Sequence, residues 1–390
     1  MNLRFTQPPK NRVFDACGIA GLFNYGLKPE SGKKVRSMIA LMRERENGLG
    51  GGYAAYGLFP KMADHYCIQL LLEDIPEEKP TRERVEEFLK KKADIARDEK
   101  VPLNEKIIPE HPEVHRFFIT PRNQANPDED VKNLVMEINA SLDGAFCMSS
   151  GKNMAVFKGN GWADEIGLFY KIDELKAYMW TAHSRFPTNT PGWWGGAHPF
   201  NILGHSVVHN GEITSYGTNV NYLTELGYVC TLKTDTEVVA YLFDYLMRKT
   251  NYPTKIAAQL AAATLAPPYW REIDRLPEDQ KLWLTSLRMI HRKAMANGPF
   301  AIIITTNMPK PLMIGHTDRK KLRPLIGAQS ADESTLYIAS ELNPIHAVDD
   351  TDDYWQANPG QPIIATTEGI ISRGTSESFD WLTKKSPGGN

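Results

Sequence analysis

The chain has few cysteines, no long apolar run and no excess of basic charge, and these absences narrow its function class. Only four cysteines occur in 390 residues, which does not indicate the disulfide framework of a small secreted domain. No apolar run approaches the ~18 residues that crossing a bilayer requires. The formal net charge of −2 lacks the basic excess typical of nucleic-acid binding. We expect neither a membrane nor a nucleic acid as a partner.

Several short motifs are missing as well. The sequence contains no CxxC pair and no HExxH segment, so we expect no metal site in this chain. Residues 1–15 hold no apolar segment of the kind that a signal peptide needs, and a cytoplasmic location is the simplest expectation. We expect 1–16 to be a removable leader and 372–390 to be a loose polar tail.

The order of strand and helix signals predicts an α+β fold. Short apolar strands cluster early and late in the chain with helices between them, which favours layered packing over a doubly wound parallel sheet. The region of about 76–142 differs in character, and its pattern predicts a helix–strand–helix insertion whose first helix covers Thr81–Glu99. A β-hairpin is predicted around 151–153, between strands at 145–149 and 154–158.

Cys17 stands near the start of the chain, before small and aliphatic residues. If the Ala16–Cys17 bond is cut, one residue carries both a thiol and a free α-amine. An amine with an ordinary pKa of about 8 can take the thiol proton and later return it, so such a cysteine needs no partner histidine. Taken alone, Cys17 is more typical of a buried cysteine at the start of a core strand, and only the later motifs favour the nucleophile.

Arg185 follows a strand signal that ends at His183-Ser184 and precedes a polar loop containing proline. The planar guanidinium can form a two-pronged bond to a carboxylate. A surface salt bridge or a phosphate contact explains the arginine equally well, and His183 alone is typical of a structural histidine.

Asn210-Gly211 lies after an apolar strand signal and before Glu212-Ile213. Asn-Gly between two strands first of all favours a type I′ hairpin turn. The same turn can also place the asparagine amide beside the glycine N–H, which gives the two converging donors of an oxyanion hole. Both interpretations remain open from the sequence.

The segment 234–237 has the pattern of a capping box that opens an amphipathic helix. Within it, Asp235 can also bind a substrate ammonium. Together the motifs supply a thiol nucleophile, a carboxylate clamp, an oxyanion hole and an ammonium anchor. These are the groups required to release ammonia from L-glutamine while its α-carboxylate and α-ammonium are held.

The motifs, in this order, resemble those of class II glutamine amidotransferases, which are N-terminal-nucleophile hydrolases. The resemblance implies a four-layer αββα sandwich with two stacked antiparallel sheets over residues 17–371. It implies that Cys17 is the nucleophile with its freed amine as the base, and that Asn210 and Gly211 form the oxyanion hole. It further implies that Arg185 holds the glutamine carboxylate and Asp235 the ammonium, in a pocket also lined by Thr188, Gly50 and Gly51.

Within the class, the segments 183–190 and 210–213 are most similar to the glutaminase domain of glutamate synthases. The glycine run at 50–52 resembles the stand-alone archaeal-type form of that domain. This resemblance implies no cofactor in this chain and a separate synthase subunit carrying FMN and an iron–sulfur centre. That subunit would use the ammonia for glutamate synthesis from 2-oxoglutarate.

Two other functions fit the same motifs. One is an N-terminal-nucleophile amidase that acts on another amide, although Arg185 and Asp235 together favour a free amino acid. The other is a catalytically silent subunit that senses glutamine. The tryptophan-containing segment 191–196 either forms a lid over the glutamine site or packs in the core.

Overall fold

The computed structural model describes residues 17–185, 192–376 and 378–382. The expected leader, 1–16, and Thr188 lie outside these residues. The strands are β1 (Gly18–Asn24), β2 (Glu30–Ser31), β3 (Gly51–Tyr56), β4 (Tyr66–Leu72), β5 (Ala93–Lys100), β6 (Glu113–Pro121), β7 (Ala145–Ser149), β8 (Met154–Gly159), β9 (Lys176–Ala177), β10 (Met179–Ser184), β11 (Phe200–Ile202), β12 (His205–Gly211), β13 (Phe300–Thr306), β14 (Leu312–Thr317), β15 (Ile326–Gln329), β16 (Thr335–Ala339), β17 (Tyr354–Gln356), β18 (Ile363–Thr366) and β19 (Gly369–Arg373).

Helices occur mainly in the first half of the chain and between β12 and β13. They are α1 (Lys33–Ala40), α2 (Thr81–Lys92), α3 (Pro127–Ser141), α4 (Ala163–Phe169), α5 (Tyr216–Glu225), α6 (Asp235–Arg248), α7 (Ala257–Leu265), α8 (Trp270–Ile273), α9 (Glu278–Ile290) and α10 (Asn343–His346). None of the helices in the described ranges is long and apolar enough to cross a membrane.

Two antiparallel sheets stack face to face at the centre of the fold. Their strand orders are β17-β15-β16-β1-β10-β3-β8 and β11-β12-β13-β14-β18-β19. Side chains of β1 alternate between the two faces of its sheet: Ile19 and Phe23 join the core between the sheets, while Ala20 and Leu22 join the core on the outer face. Both faces of β1 are therefore covered, and the strand is apolar from Gly18 to Phe23.

Helices cover the outer face of each sheet. Val35 of α1 and Ile166 of α4 pack in the outer core of the first sheet, whereas Val238 of α6 packs with Ile302 of β13 outside the second. The result is the four-layer αββα sandwich that the motif resemblance implies, and the α+β prediction is confirmed.

The inserted region contains one strand more than predicted. It forms a third sheet of order β5-β6-β4-β7 with helices α2 and α3. The helix expected over Thr81–Glu99 ends at Lys92, and Ala93–Lys100 is strand β5. This strand lies at the edge of its sheet and is largely exposed, so it carries the charged residues that edge strands tolerate and that favour a helix in a sequence pattern.

The predicted hairpin around 151–153 is wrong. β7 pairs with β4 of the inserted sheet, while β8 pairs with β3 of the first sheet. Asn153 does adopt the left-handed conformation of a turn, with φ of 50°. A turn signal predicts that the chain bends but does not decide whether the flanking strands pair with each other, and here each strand joins a different sheet.

The C-terminal region is more ordered than expected. Ser372 and Arg373 end strand β19, and Trp381 and Leu382 are buried in the same core as α6. The prediction of a loose tail is therefore wrong for the described part of 372–390, because its apolar side chains have a core to enter. Residues 383–390 lie outside the described ranges.

Candidate active site

Cys17 is half-buried and lies directly before β1, near the middle of the first sheet. Gly18 pairs with Ser184 of β10, and its N–H donates to Ser184 Oγ at 3.0 Å. A Cβ on Gly18 would lie 2.6 Å from that hydroxyl oxygen. The glycine after the candidate nucleophile therefore allows β10 to approach closely.

Residues that the sequence reasoning missed hold the start of β1 in place. Ile19 N–H donates to Ser340 Oγ at 3.2 Å, and Arg45 donates through Nε to the Cys17 carbonyl oxygen at 3.3 Å. Arg45 is itself ion-paired with Glu341. Ser340 lies just past β16 and Arg45 lies in the turn after α1. Because both are distant from Cys17 in sequence, no local motif around Cys17 predicts these contacts.

Arg185 follows the last residue of β10 and reaches the same edge of the sheet as Cys17. Its N–H donates to the Gly50 carbonyl oxygen at 2.9 Å, and Gly51 pairs with Ser184. The side chain is only 4% exposed, so the surface salt bridge considered from the sequence is wrong. Burial lowers the pKa of Arg185, and the neighbouring Cys17 thiol opposes this change.

Gly50 leaves space beside the side chain of Arg185. Its φ is +142°, and a Cβ there would meet Arg185 Cδ at 3.1 Å. A larger residue at this position would therefore combine backbone strain with a tight contact to the arginine. The structure brings Cys17, Arg185, Gly50 and Gly51 to one end of three adjacent strands, as the motif resemblance implies for a glutamine pocket.

Asn210 and Gly211 belong to β12 rather than to a tight turn. They pair with Ala301 and Phe300 of β13, which begins almost ninety positions later in the chain. The type I′ hairpin considered from the sequence is therefore wrong. Gly211 has φ of +129°, and a Cβ there would lie 2.0 Å from the Pro299 carbonyl oxygen, so the backbone itself requires glycine.

The Asn210 side chain is a buried amide donor. The residue is 1% exposed, and Nδ2 has no hydrogen-bond partner within the described ranges. A buried donor without a partner costs free energy, which makes it a candidate for a ligand contact. A substrate oxyanion would provide the missing acceptor.

A cluster of three buried histidines joins the two sheets behind these groups. His183 Nε2 donates to the backbone carbonyl oxygen of His209 at 3.0 Å. The rings of His183 and His198 stack with centroids 3.9 Å apart, and His198 Nε2 lies 3.3 Å from Thr236 Oγ1. Burial lowers the pKa of both His183 and His198, so both rings are neutral near pH 7.

This cluster sets the position of β12 relative to β10. The hydrogen bond between His183 and His209 lies two positions before Arg185 on one strand and one position before Asn210 on the other. His183 Nε2 has the partner expected of a structural histidine, whereas its Nδ1 has none within the described ranges. Across the described ranges, no group of three or more His, Cys, Asp or Glu side chains is arranged to hold a metal ion.

Asp235 begins α6 and faces the end of β12. It accepts the Ile213 N–H at 2.9 Å, and its Oδ1 lies 3.6 Å from His209 Nδ1. Burial by itself raises the pKa of Asp235, but His209, the Ile213 N–H and the Thr236 hydroxyl outweigh burial and lower the pKa to about 2. Asp235 is therefore a partly buried carboxylate that stays ionised at neutral pH.

The start of α6 differs in detail from the predicted capping box. Thr234 is the N-cap, and its hydroxyl accepts the Thr236 N–H at 3.4 Å. The Glu237 carboxylate does not return to the N-cap; it accepts the N–H groups of Thr231 and Leu232 at 3.1 and 3.0 Å. The helix start is confirmed, while Glu237 fixes the preceding loop instead.

The two tryptophans of 191–196 have different surroundings. Trp194 packs edge-on against Phe169, with ring centroids 5.7 Å apart. Trp193 is 38% exposed and packs on Phe146. Both line a cleft of about 460 Å³ between the inserted sheet and the sandwich. Core packing is confirmed for Trp194; Pro191 lies outside the described residues, and the lid stays a prediction.

Part of this chain is similar to a known protein family. The family described as "Glutamine amidotransferases class-II" matches residues 68–234, a span that includes Arg185, Asn210 and Gly211 and ends one position before Asp235. An uncharacterized protein of Archaeoglobus fulgidus is 42% identical over 369 residues, covering 93% of this chain and 94% of that one. A candidate glutamine amidotransferase of Methanothermobacter thermautotrophicus is 25% identical over 350 residues, covering 88% and 98%.

Solved structures include a glutamine phosphoribosylpyrophosphate amidotransferase from B. subtilis in complex with ADP and GMP. It is 15% identical with a TM-score of 0.48, and the match covers 95% of this chain and 50% of that one. The chain carries a class II glutamine amidotransferase domain over residues 68–234.

Proposed function

We propose that this chain is a glutaminase subunit that hydrolyses L-glutamine to glutamate and ammonia and passes the ammonia to a separate synthase subunit. The observation that carries the proposal is the juxtaposition of Cys17 and the buried Arg185 at one end of adjacent strands. A nucleophile beside a buried cation suits an amide substrate that also carries a carboxylate.

The reaction begins once the Ala16–Cys17 bond has been cut. The freed α-amine takes the thiol proton, and the Cys17 thiolate attacks the side-chain amide carbon of glutamine. Asn210 Nδ2 and the Gly211 N–H stabilise the oxyanion of the tetrahedral intermediate. The intermediate collapses to a thioester, ammonia leaves with the proton held by the amine, and water then releases glutamate and restores the thiol.

Substrate recognition in this proposal uses two opposite charges. Arg185 binds the α-carboxylate of glutamine through its planar fork, and Asp235 binds the α-ammonium. Both side chains are charged at neutral pH and both are largely removed from solvent, which strengthens charged hydrogen bonds. Gly50 leaves room beside the arginine, whereas a Cβ on Gly51 would meet Ala163. Gly51 and Thr188 remain part of the proposed glutamine pocket on the motif resemblance.

The ammonia acceptor in this proposal is 2-oxoglutarate, held by a synthase subunit that carries FMN and an iron–sulfur centre. The similarity of 183–190 and 210–213 to glutamate-synthase glutaminase domains supports this choice. Purification of the native protein from its source organism tests it. A co-purifying subunit with flavin absorbance supports the proposal, whereas an acceptor enzyme without flavin contradicts it.

The first experiment measures glutamate release from L-glutamine by the purified chain, with the intact mass recorded on the same sample. Turnover by a chain that lacks residues 1–16 supports both the activity and the processing. Full activity in a chain that still carries Met1 contradicts the α-amine as base. Binding of glutamine without glutamate release from a processed chain supports the silent sensor, and turnover of an N-acylated amine alone supports the other amidase.

Replacing Arg185 with lysine keeps the positive charge but removes the two-pronged bond to the substrate carboxylate. We expect the KM for glutamine to rise roughly 10- to 100-fold with little change in kcat, since a charged hydrogen bond contributes about 1.5–3 kcal/mol. Steady-state kinetics with glutamine and with 4-aminobutanamide, which lacks the carboxylate, provides the check. An equal loss on both substrates would show that Arg185 does not bind the carboxylate.

Replacing Asp235 with asparagine removes the negative charge but leaves an oxygen to accept the Ile213 N–H. We expect the KM for glutamine to rise roughly tenfold or more, because the substrate ammonium loses its charged partner. The control substrate is 5-amino-5-oxopentanoate, which has no α-amine and should be hydrolysed equally by both proteins. Unchanged KM for glutamine would remove Asp235 from the proposed site.

A further inference from the structure

Helix α9 has two apolar faces, and only one of them packs against the rest of the described chain. Its inner face buries Leu284 and Leu287 and packs on α7 and α8. On the opposite face, Leu282, Met289 and Ile290 are 69%, 68% and 69% exposed. Isolated exposed apolar residues are ordinary on protein surfaces, whereas a row of them on one helix face marks an interaction surface.

The three exposed residues lie on one side of the helix by their spacing. Met289 and Ile290 follow Leu282 by two helical turns, so all three project away from the face that carries Leu284. Between them, at the centre of the exposed row, stands Ser286, whose hydroxyl donates to the Leu282 carbonyl oxygen at 2.8 Å. A small residue at the centre allows another helix to approach closely.

Charge is distributed unevenly along the same helix. Its first turn is acidic, with Glu278 and Asp279, and the Glu278 side chain is 92% exposed. Its last turn and the turn that follows are basic, with Arg288 and Arg292, while Lys293 of the following turn is ion-paired with Glu225 at 3.0 Å. An antiparallel second copy of this helix would place its basic end against the acidic end of the first, and the reverse contact would follow by symmetry.

We propose that α9 is the contact surface of a symmetric homodimer of this chain. A twofold axis beside Ser286 sets Leu282 opposite Ile290 of the second copy, and Asp279 opposite the basic turn that contains Arg292. The apolar row and the charge gradient of one helix are thus both self-complementary. This inference concerns a surface remote in sequence from the proposed catalytic groups and does not depend on the proposed function.

The first test measures mass in solution by sedimentation velocity over about 1–100 μM, the range in which small interfaces dissociate. We expect a dimer for the natural chain and a monomer for the double variant Leu282→Glu/Ile290→Glu, with dissociation favoured by about 100-fold or more. The matched control is Leu322→Glu, a leucine that is 56% exposed outside α9 and should leave the dimer unchanged.

A charge-reversal series tests the antiparallel arrangement. Asp279→Lys and Arg292→Glu should each weaken the dimer, and their combination should restore it, because the repulsive contacts become attractive again. Thermal unfolding of each variant confirms that the protein remains folded. A natural chain that stays monomeric throughout the range overturns the proposal, as does a dimer that the double variant leaves intact. A monomer that becomes dimeric after removal of 383–390 also overturns it, because that tail would then be what covers α9.

Discussion

Alanine at position 17 should abolish glutamate release from glutamine, with a loss on the order of 10⁶-fold in kcat, as expected when a covalent nucleophile is removed. Assays of glutamate formation under saturating glutamine measure the effect. Cleavage before residue 17 can itself depend on the thiol. The Cys17→Ala variant and the natural chain should therefore both be produced without residues 2–16, so that position 17 directly follows the initiator methionine. Such a comparison separates loss of the nucleophile from loss of processing.

The other cysteines provide the control for this result. Burial raises the pKa of the Cys230 thiol to about 12 and of the Cys67 thiol to about 12, so both remain protonated and unreactive at neutral pH. Cys230→Ala should therefore retain the activity of the natural chain. Comparable losses in Cys17→Ala and Cys230→Ala would indicate structural damage, and an active Cys17→Ala chain would contradict the proposed mechanism.

Truncation of Asn210 to alanine should lower kcat roughly 10²- to 10³-fold while changing the KM for glutamine little. The amide donates a hydrogen bond to the oxyanion, whose charge develops only in the transition state. Loss of the amide therefore lowers the rate without weakening ground-state binding. In the structure this amide is buried and its Nδ2 has no partner within the described residues. Removing it therefore breaks no hydrogen bond from Nδ2 to the described residues, and we expect Asn210→Ala to fold.

Asn201 provides a matched comparison for Asn210. It also lies in the second sheet, but its Nδ2 donates to the carbonyl oxygens of Leu203 and His205 at 2.8 and 2.7 Å. Asn201→Ala should lower the melting temperature and leave kcat of the folded enzyme nearly intact. The opposite pattern, with a stable Asn201→Ala chain of low kcat and an active Asn210→Ala chain, would mean that the oxyanion hole lies elsewhere.

Four residues predicted for the candidate site stand beside strong local signals, which is why the sequence alone can propose them. Cys17 precedes β1, Arg185 follows β10, Asn210 lies near the end of β12, and Asp235 opens α6. The spacing of apolar residues and the presence of helix-capping residues are local properties, and a window of a few residues is enough to detect both. The fold class followed from the same signals together with the motif resemblance.

Features that depend on distant pairing were not predictable in this way. The hydroxyl that receives the Ile19 N–H belongs to Ser340, 321 positions away. The partner strand of Asn210 and Gly211 begins almost ninety positions later, so a local turn was the simpler interpretation. The helix predicted over Thr81–Glu99 is wrong for 93–99, because an exposed edge strand rich in charge has no apolar alternation to distinguish it from a helix.

The inserted sheet enters and leaves the sandwich at one point. β4 and β7 are neighbours in that sheet, with Leu72 paired to Ala145, and the Glu73 N–H donates to the Gly144 carbonyl oxygen at 2.8 Å. The chain between these residues therefore leaves the sandwich and returns to the same point. Because the entropic cost of closing a loop grows slowly with its length, the length of this region has little effect on the layers that hold the site. A change in the length of this region therefore leaves its two points of attachment, Glu73 and Gly144, side by side.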